Sequence, residues 1–131
     1  MHKAILAITL ASALTGVAFA ETAAPKFITP QSNDFVSSRV VGLDVYDNSN
    51  HDIGKIQDIV FDQSMAVKGY ILSVGGFLGL GERYVAVDPS SVAVKFDDND
   101  KKWHANMNAT SDQLKSAPEF KYTGRWNSSK S

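Results

Sequence analysis

The fold of this chain is decided by one glycine-rich stretch near its middle, which reads Gly75-Gly76-Phe77-Leu78-Gly79-Leu80-Gly81-Glu82-Arg83-Tyr84-Val85-Ala86-Val87. A β-rich run enters the stretch and another leaves it. Because glycine adopts backbone angles that other residues reach only with strain, the stretch predicts a wide, irregular connection between two strands. Phe77, Leu78 and Leu80 are too apolar for an ordinary solvated loop, where polar turn residues dominate. We therefore expect these side chains to fold back on the domain or to meet a partner.

Short β-rich runs separated by turn residues extend on both sides of this connection. Strands are predicted at residues 39–47, 53–61, 67–74, 83–87, 91–96 and 102–107. Six short strands of this kind predict an all-β domain, built as a small antiparallel barrel or sandwich. Imperfect alternation in the second run predicts a β-bulge near Gly54. One short helix should follow the last strand, capped by Thr110 or Ser111 and stopped by Pro118.

The beginning of the chain is typical of a secretory signal. A basic start is followed by an apolar run, and Ala18-Phe19-Ala20 supplies the small-x-small pattern that signal peptidase reads. The alternative, an uncleaved membrane anchor, is disfavoured because the run is shorter than the roughly 20 residues that span a bilayer. We interpret residues 1–20 as a cleaved signal peptide, 21–38 as a flexible leader, 39–120 as the domain and 121–131 as a flexible tail. After cleavage, no membrane-spanning segment is predicted.

Composition excludes several function classes. The 131 residues contain no cysteine, so neither a disulfide nor a lipid-modified cysteine can form. After removal of the signal, 12 basic side chains face 14 acidic ones. Such a mild balance gives no electrostatic reason to expect nucleic acid or an anionic membrane as a partner.

Motifs for phosphate binding or nucleophilic catalysis are incomplete. A dinucleotide fingerprint needs a third glycine where Tyr84 stands, and a P-loop needs a lysine where Glu82 places a negative charge. Gly75 stands two residues after Ser73, as in a nucleophile elbow. That motif also requires a glycine two residues before the serine, where Ile71 stands. We predict no catalytic residues, no enzyme activity and no cofactor.

Metal ligands are equally sparse in the sequence. His51 lies in a polar turn and His104 on a strand, and catalytic zinc takes three protein ligands. The run Asp97-Asp98-Asn99-Asp100 lacks the glycine and the distal glutamate of a calcium loop, so we interpret it as a solvated turn. No metal site is predicted.

Three segments together resemble a known family. Val41-Gly42-Leu43-Asp44-Val45-Tyr46, the segment from Ile53 to Asp62 and the glycine-rich stretch are similar to a PRC-barrel domain, over residues 40–107. The resemblance implies a six-stranded, strongly bent antiparallel β-barrel with one short C-terminal helix. It also implies an interaction or assembly module without a catalytic centre, in a bacterial protein. With the signal, this places the protein in the periplasm or outside the cell.

Three functions remain open at this point. The first is a non-catalytic envelope module that binds a protein, or itself as a homodimer, through the loop of residues 75–82 and an adjacent strand edge. Its interface candidates are Phe77, Leu78, Leu80, Glu82 and Arg83. The alternative is a small-ligand carrier, with a site at the barrel mouth lined by Phe77, Tyr84 and Trp103. An enzyme built on scattered carboxylates is the least favoured.

Overall fold

The computed structural model describes residues 24–75 and 81–127, and it divides the chain into two units, 1–32 and 33–131. Of the first unit, residues 24–31 form no helix or strand. The second unit contains every helix and strand among the described residues. The helices are α1 (Ser37–Val40) and α2 (Ser111–Ser116), with 3₁₀ turns at Pro89–Ser91 and Gly124–Asn127. The strands are β1 (Asp44–Tyr46), β2 (Asp52–Phe61), β3 (Val67–Val74), β4 (Arg83–Val87), β5 (Ala93–Asp97) and β6 (Lys102–Asn106).

All six strands form one mixed sheet in the order β4-β3-β2-β1-β6-β5. Four neighbouring pairs are antiparallel, but β1 and β6 run parallel, with Val45 opposite Ala105. The prediction of an entirely antiparallel arrangement is therefore wrong at this one pair. Alternation of apolar residues indicates which face of a strand is buried. It does not indicate whether a strand about 60 residues away in the chain pairs with it in the parallel or the antiparallel direction.

The sheet curls, although its ladder does not close. If the six strands formed a flat sheet, the two outer strands, β4 and β5, would lie about 24 Å apart at the usual ~4.8 Å spacing. The chain passes from Val87 at the end of β4 to Ala93 at the start of β5 in six residue steps, which reach about 20 Å when fully extended. Pro89–Ser91 shorten that reach further because a 3₁₀ turn rises only about 2 Å per residue. Among the described residues β4 and β5 do not pair, so a closed barrel is not confirmed.

Two local predictions can be compared directly with β1 and β2. The bulge near Gly54 is confirmed, because Val45 pairs with Gly54 whereas Tyr46 pairs with Asp52. The predicted strand at 39–47 is shorter than expected. Ser37–Val40 form one helical turn instead, and Gly42, with a φ of 98°, redirects the backbone before β1 begins.

The core lies on the inner face of the curled sheet. Its fully buried side chains come from five strands and include Val45, Ile56, Leu72, Val85 and Ala105. Helix α2 contributes Leu114, which is also buried in this cluster. No helix within residues 24–75 or 81–127 is long and apolar enough to cross a membrane.

Candidate functional site

The glycine-rich loop of residues 75–82 lies partly outside the described residues. Phe77, Leu78 and Leu80 belong to residues 76–80 and are not among those that the structure describes. The glycines on either side, Gly75 and Gly81, have φ angles of 73° and 72°, in the left-handed region that favours glycine. Both ends of the connection therefore need the residue type that the sequence supplies.

The two predicted interface residues at the base of this loop are held by hydrogen bonds. The hydroxyl of Ser73, on β3, donates to a carboxylate oxygen of Glu82. The guanidinium of Arg83 donates from one nitrogen to the carbonyl of Lys115 and from the other, at 2.7 Å, to that of Ala117. These bonds tie the start of β4 to β3 on one side and to the end of α2 on the other. Glu82 and Arg83, which follow the loop residues in the sequence, therefore form a fixed base together with Ser73.

A polar groove of about 390 Å³ lies against this base. It is lined by Asp44, Asp52, Ile53, Gly54, Lys55, Ser73, Gly75, Glu82, Ser111 and Lys115. Burial, and then the negative charge of Asp44, raise the pKa of the Asp52 carboxyl. Lys55 Nζ lies 3.9 Å from Asp44 Oδ1, so charges of both signs line the groove. Such a surface suits a partner that brings hydrogen bonds and charges of its own.

An apolar groove of about 360 Å³ lies elsewhere on the same unit. Its lining comes from α1 and the residue Phe35 before it, from β2, β3 and β5, and from the connection between β4 and β5. The residues are Phe35, Ser37, Val40, Ile59, Phe61, Val67, Tyr70, Pro89, Val92 and Val94. None of these carries a charge, and Ser37 and Tyr70 supply the only side-chain polar groups. Phe61 and Val67 stay 43% and 47% exposed. The groove therefore offers apolar surface to a molecule with little polarity.

Two of the predicted ligand-pocket residues lie in different aromatic clusters. The Tyr84 ring is 5.3 Å from that of Tyr122, edge to face. Trp103 lies 5.4 Å from both Phe35 and Phe96, measured between ring centroids. Tyr84 and Trp103 line neither a common groove nor the apolar groove, and Phe77, the third candidate, is outside the described residues.

The described histidines pair with carboxylates close in sequence. His51 Nδ1 lies 3.3 Å from Asp47 Oδ2, and His104 Nε2 lies 2.5 Å from Asp100 Oδ2. Partial desolvation raises the pKa of the Asp100 carboxyl, but hydrogen bonds from His104 and from the Lys102 N–H outweigh it and leave that pKa lowered. The Ser73 hydroxyl likewise bonds a carboxylate, that of Glu82.

Three residues of metal-ligating types lie together at the β5–β6 hairpin, although no sequence motif joins them. Asp97, Asp100 and His104 each offer a ligand atom, and these atoms lie within 4.8 Å of one another. The β5–β6 hairpin brings them together because Asp100 lies in its turn, and His104, which pairs with Lys95, lies diagonally across from Asp97. The predicted pairing of the two strands on either side of the turn is the sequence signal that could have placed His104 near the aspartates. A hydrogen bond between His104 Nε2 and Asp100 accounts for the closeness of these two groups without an ion.

Comparison with known proteins identifies the six-stranded unit. The family model for the PRC-barrel domain matches residues 33–111, which include α1 and all six strands. The chain belongs to the PRC-barrel domain family. No curated protein matches this chain.

Residues that follow the segment matched by the PRC-barrel family model also pack on the outer side of the sheet. We call residues 120–127 the clasp. Its Phe120 forms an antiparallel bridge with Tyr84, and the Phe120 N–H donates to the Tyr84 carbonyl at 2.7 Å. The Tyr122 hydroxyl donates to Asp58 Oδ2 at 3.1 Å. The sequence predicts a flexible tail at residues 121–131, and no local pattern in it indicates Asp58 as the partner of Tyr122.

Proposed function

We propose that this PRC-barrel protein is a non-catalytic interaction and assembly module of the bacterial cell envelope. It is exported to the periplasm by the signal at residues 1–20, and its sheet folds as the strongly bent barrel that the family name describes. It binds a protein through the loop of residues 75–82. The observation that carries this proposal is the fixed base, Ser73 to Glu82 and Arg83 to α2, which flanks an unusually apolar segment of the sequence.

Burial of the loop side chains alone would not give a stable complex. Burying three large apolar side chains contributes about 1.5–3 kcal/mol each, or roughly 5–9 kcal/mol together. Association costs about 4–15 kcal/mol in lost translational and rotational freedom. The polar groove beside the loop supplies the additional contacts, through groups such as Asp52 and Lys115. The partner is therefore a protein surface with an apolar recess for the loop and charged groups around it.

The decisive variant changes the loop without changing the sheet. A Leu78→Asp, Leu80→Asp chain places two charges on the apolar loop, so it should lose the partner while staying folded. Met65→Asp is the matched control, because Met65 is an apolar turn residue that is 72% exposed. Its φ of 70° is a conformation that aspartate tolerates.

The measurement combines native mass spectrometry of the mature protein, purified gently from the envelope, with photo-crosslinking from position 78 in the living cell. We expect crosslinks to one protein partner, their loss in the doubled aspartate chain and their retention in Met65→Asp. A doubled aspartate chain that is folded and keeps every partner and its oligomeric state would contradict the proposal.

A second candidate function is favoured by the apolar groove. Its volume of about 360 Å³ lies within the ~300–1,000 Å³ typical of small-molecule sites, and its lining has the expected apolar character. The carrier function would use this groove, and the ligand would be a molecule with little polarity. A reproducible added mass of a few hundred daltons in the native spectrum supports it.

The chain offers a matched pair of phenylalanines for testing the carrier function. Phe61 and Phe96 are both 43% exposed, but only Phe61 lines the apolar groove. If the carrier function holds, Phe61→Ser should lose the added mass and the binding of N-phenyl-1-naphthylamine, whereas Phe96→Ser should keep both. Equal behaviour of the two variants would exclude the groove as the ligand site.

A further inference from the structure

One apolar side chain on the outer face of the sheet is hidden from solvent. Successive residues of a strand point to opposite faces, so Ile71 points away from the core that Leu72 enters. Ile71 is nevertheless only 3% exposed, although it does not belong to the core cluster. Its neighbours across the sheet are Asp58 on β2 and Ala86 on β4. A segment on the outer face must therefore cover Ile71.

The clasp provides this cover. At one end Phe120 bridges to Tyr84 on β4, and further along the Tyr122 hydroxyl donates to Asp58 on β2. The ring of Tyr122 lies 5.0 Å from that of Phe120 and 5.3 Å from that of Tyr84. Strand β3 lies between β4 and β2 in the sheet. The clasp therefore crosses the outer face of β3, where Ile71 lies.

The clasp also occupies part of the free edge of β4. This strand is outermost in the sheet, and its far side pairs with no other strand among the described residues. The Phe120 N–H donates to the Tyr84 carbonyl, so the backbone of Tyr84 faces this edge. Residues of an antiparallel strand bond alternately to opposite sides, which makes Ala86 the other residue of β4 that faces it. An exposed edge of this kind is a template on which a further strand can pair.

The strands and the core do not depend on the clasp. All six strands lie within residues 33–111, the part of the chain that matches the family model. Every side chain of the buried core cluster precedes the clasp, and Leu114 is the last of them. The clasp is thus an addition to a sheet that is already complete.

We propose that the clasp is an edge guard, a strap that closes a strand-pairing surface formed by Ile71 and the free edge of β4. While the clasp is docked, no further strand pairs at Tyr84, and Ile71 stays out of water. When the clasp is released, the sheet stays folded but presents an apolar outer face beside open backbone groups. This device goes beyond the proposed function, because it concerns the edge of β4 and not the loop of residues 75–82.

The test removes the two rings that attach the clasp in the mature protein. Phe120→Ser, Tyr122→Ser should stay folded by circular dichroism and should increase the fluorescence of the apolar dye 1-anilinonaphthalene-8-sulfonate several-fold. In sedimentation velocity it should form oligomers that are absent from the unmodified protein and grow with concentration. Lys121→Ser is the matched control, since Lys121 is an exposed residue between the two rings in the sequence. It should keep the dye binding and the oligomeric state of the unmodified protein.

A further substitution identifies the edge through which the oligomers form. A charged side chain on an edge strand opposes pairing with another strand, so adding Ala86→Lys to the doubled serine chain should abolish the new oligomers. The loop variant, Leu78→Asp, Leu80→Asp, keeps the clasp and should bind no more dye than the unmodified protein, whatever partner it loses.

Three results would overturn the edge guard. They are a folded doubled serine chain that binds no additional dye, one that forms no new oligomers, and oligomers that persist with Ala86→Lys. If the doubled serine chain unfolds, Tyr122→Ser alone takes its place in the same measurements. Unfolding of this single variant as well would also overturn the proposal, because it would make the clasp part of the fold and not a removable cover.

Discussion

The guanidinium of Arg83 donates a hydrogen bond of 2.7 Å to the carbonyl oxygen of Ala117, which joins the first residue of β4 to the end of α2. The second donor of the same group bonds the carbonyl of Lys115. The last carbonyls of a helix have no partner within the helix, so an arginine from elsewhere can satisfy them. Since β4 begins where the glycine-rich loop ends, this contact fixes both the helix and one base of the loop.

Removal of this arginine should destabilise the fold. We expect Arg83→Met to lower the free energy of unfolding by about 1.5–3 kcal/mol, the range for hydrogen bonds that involve a charged group. Arg83→Lys should recover little of the loss, because a single ammonium cannot match the forked geometry of two carbonyls. Urea titration measures these differences. Arg39→Met, at an exposed position in α1, is the control and should change stability by less than about 0.5 kcal/mol.

Gly69 allows β3 and β4 to approach. A Cβ atom placed on Gly69 would lie 2.6 Å from the carbonyl oxygen of Val87, and this contact is with backbone that cannot move aside alone. Gly69→Ala should therefore lower the free energy of unfolding by about 1–3 kcal/mol, as overpacking does elsewhere. Lys68→Ala, at the exposed neighbouring position, is the control for urea titration. A Gly69→Ala chain as stable as Lys68→Ala would show that the strands separate without cost.

The strands and the helix cap could be predicted because their causes are local. Alternation places Leu72 and Val74 on the buried face of β3, and both are fully buried. The bulge near Gly54 disrupts alternation within a single strand, which makes it visible in the sequence. Thr110 and Gln113 form a capping box within four residues.

The remaining features depend on residues far apart in the chain. The parallel pairing of Val45 with Ala105 joins residues 60 positions apart, and no pattern within either strand records it. The guanidinium of Arg83 contacts a helix more than 30 residues later in the chain, and no pattern around Arg83 indicates that partner. Tyr122 finds Asp58 only because the chain crosses the outer face of the sheet. Such contacts follow from how the elements pack, which short-range sequence signals do not encode.

The capping box at the start of α2 gives a third prediction. The Thr110 hydroxyl accepts from the Gln113 N–H at 3.1 Å, and the Gln113 side chain accepts from the Thr110 N–H at 2.8 Å. Thr110→Ala should lower the free energy of unfolding by about 0.5–2 kcal/mol, whereas Thr110→Ser should retain most of it. Thr123→Ala, at an exposed position, is the control for urea titration. Equal stability of the alanine and serine variants at position 110 would argue against the cap.

Alkaline pH should weaken the attachment of the clasp through Tyr122. Burial, and then the negative charge of Asp58, raise the pKa of the Tyr122 hydroxyl above its usual value of 10.0. Because the folded-state pKa is raised, the protonated hydroxyl stabilises the fold fully below about pH 10, the pKa in the unfolded chain. That contribution declines as the pH rises further, since the unfolded chain then loses the proton first.

The free energy of unfolding, measured by urea titration between about pH 8 and pH 11, tests this dependence at the unfolded-state pKa. The unmodified protein should exceed Tyr122→Phe by about 1 kcal/mol below pH 10, the usual value for one hydrogen bond, and this difference should shrink above it. Asp58→Asn is the matched variant, because it keeps an acceptor near the hydroxyl but removes the charge, so its decline above pH 10 should be smaller. Parallel pH profiles for the unmodified protein and Tyr122→Phe would mean that Tyr122 and Asp58 do not interact in solution.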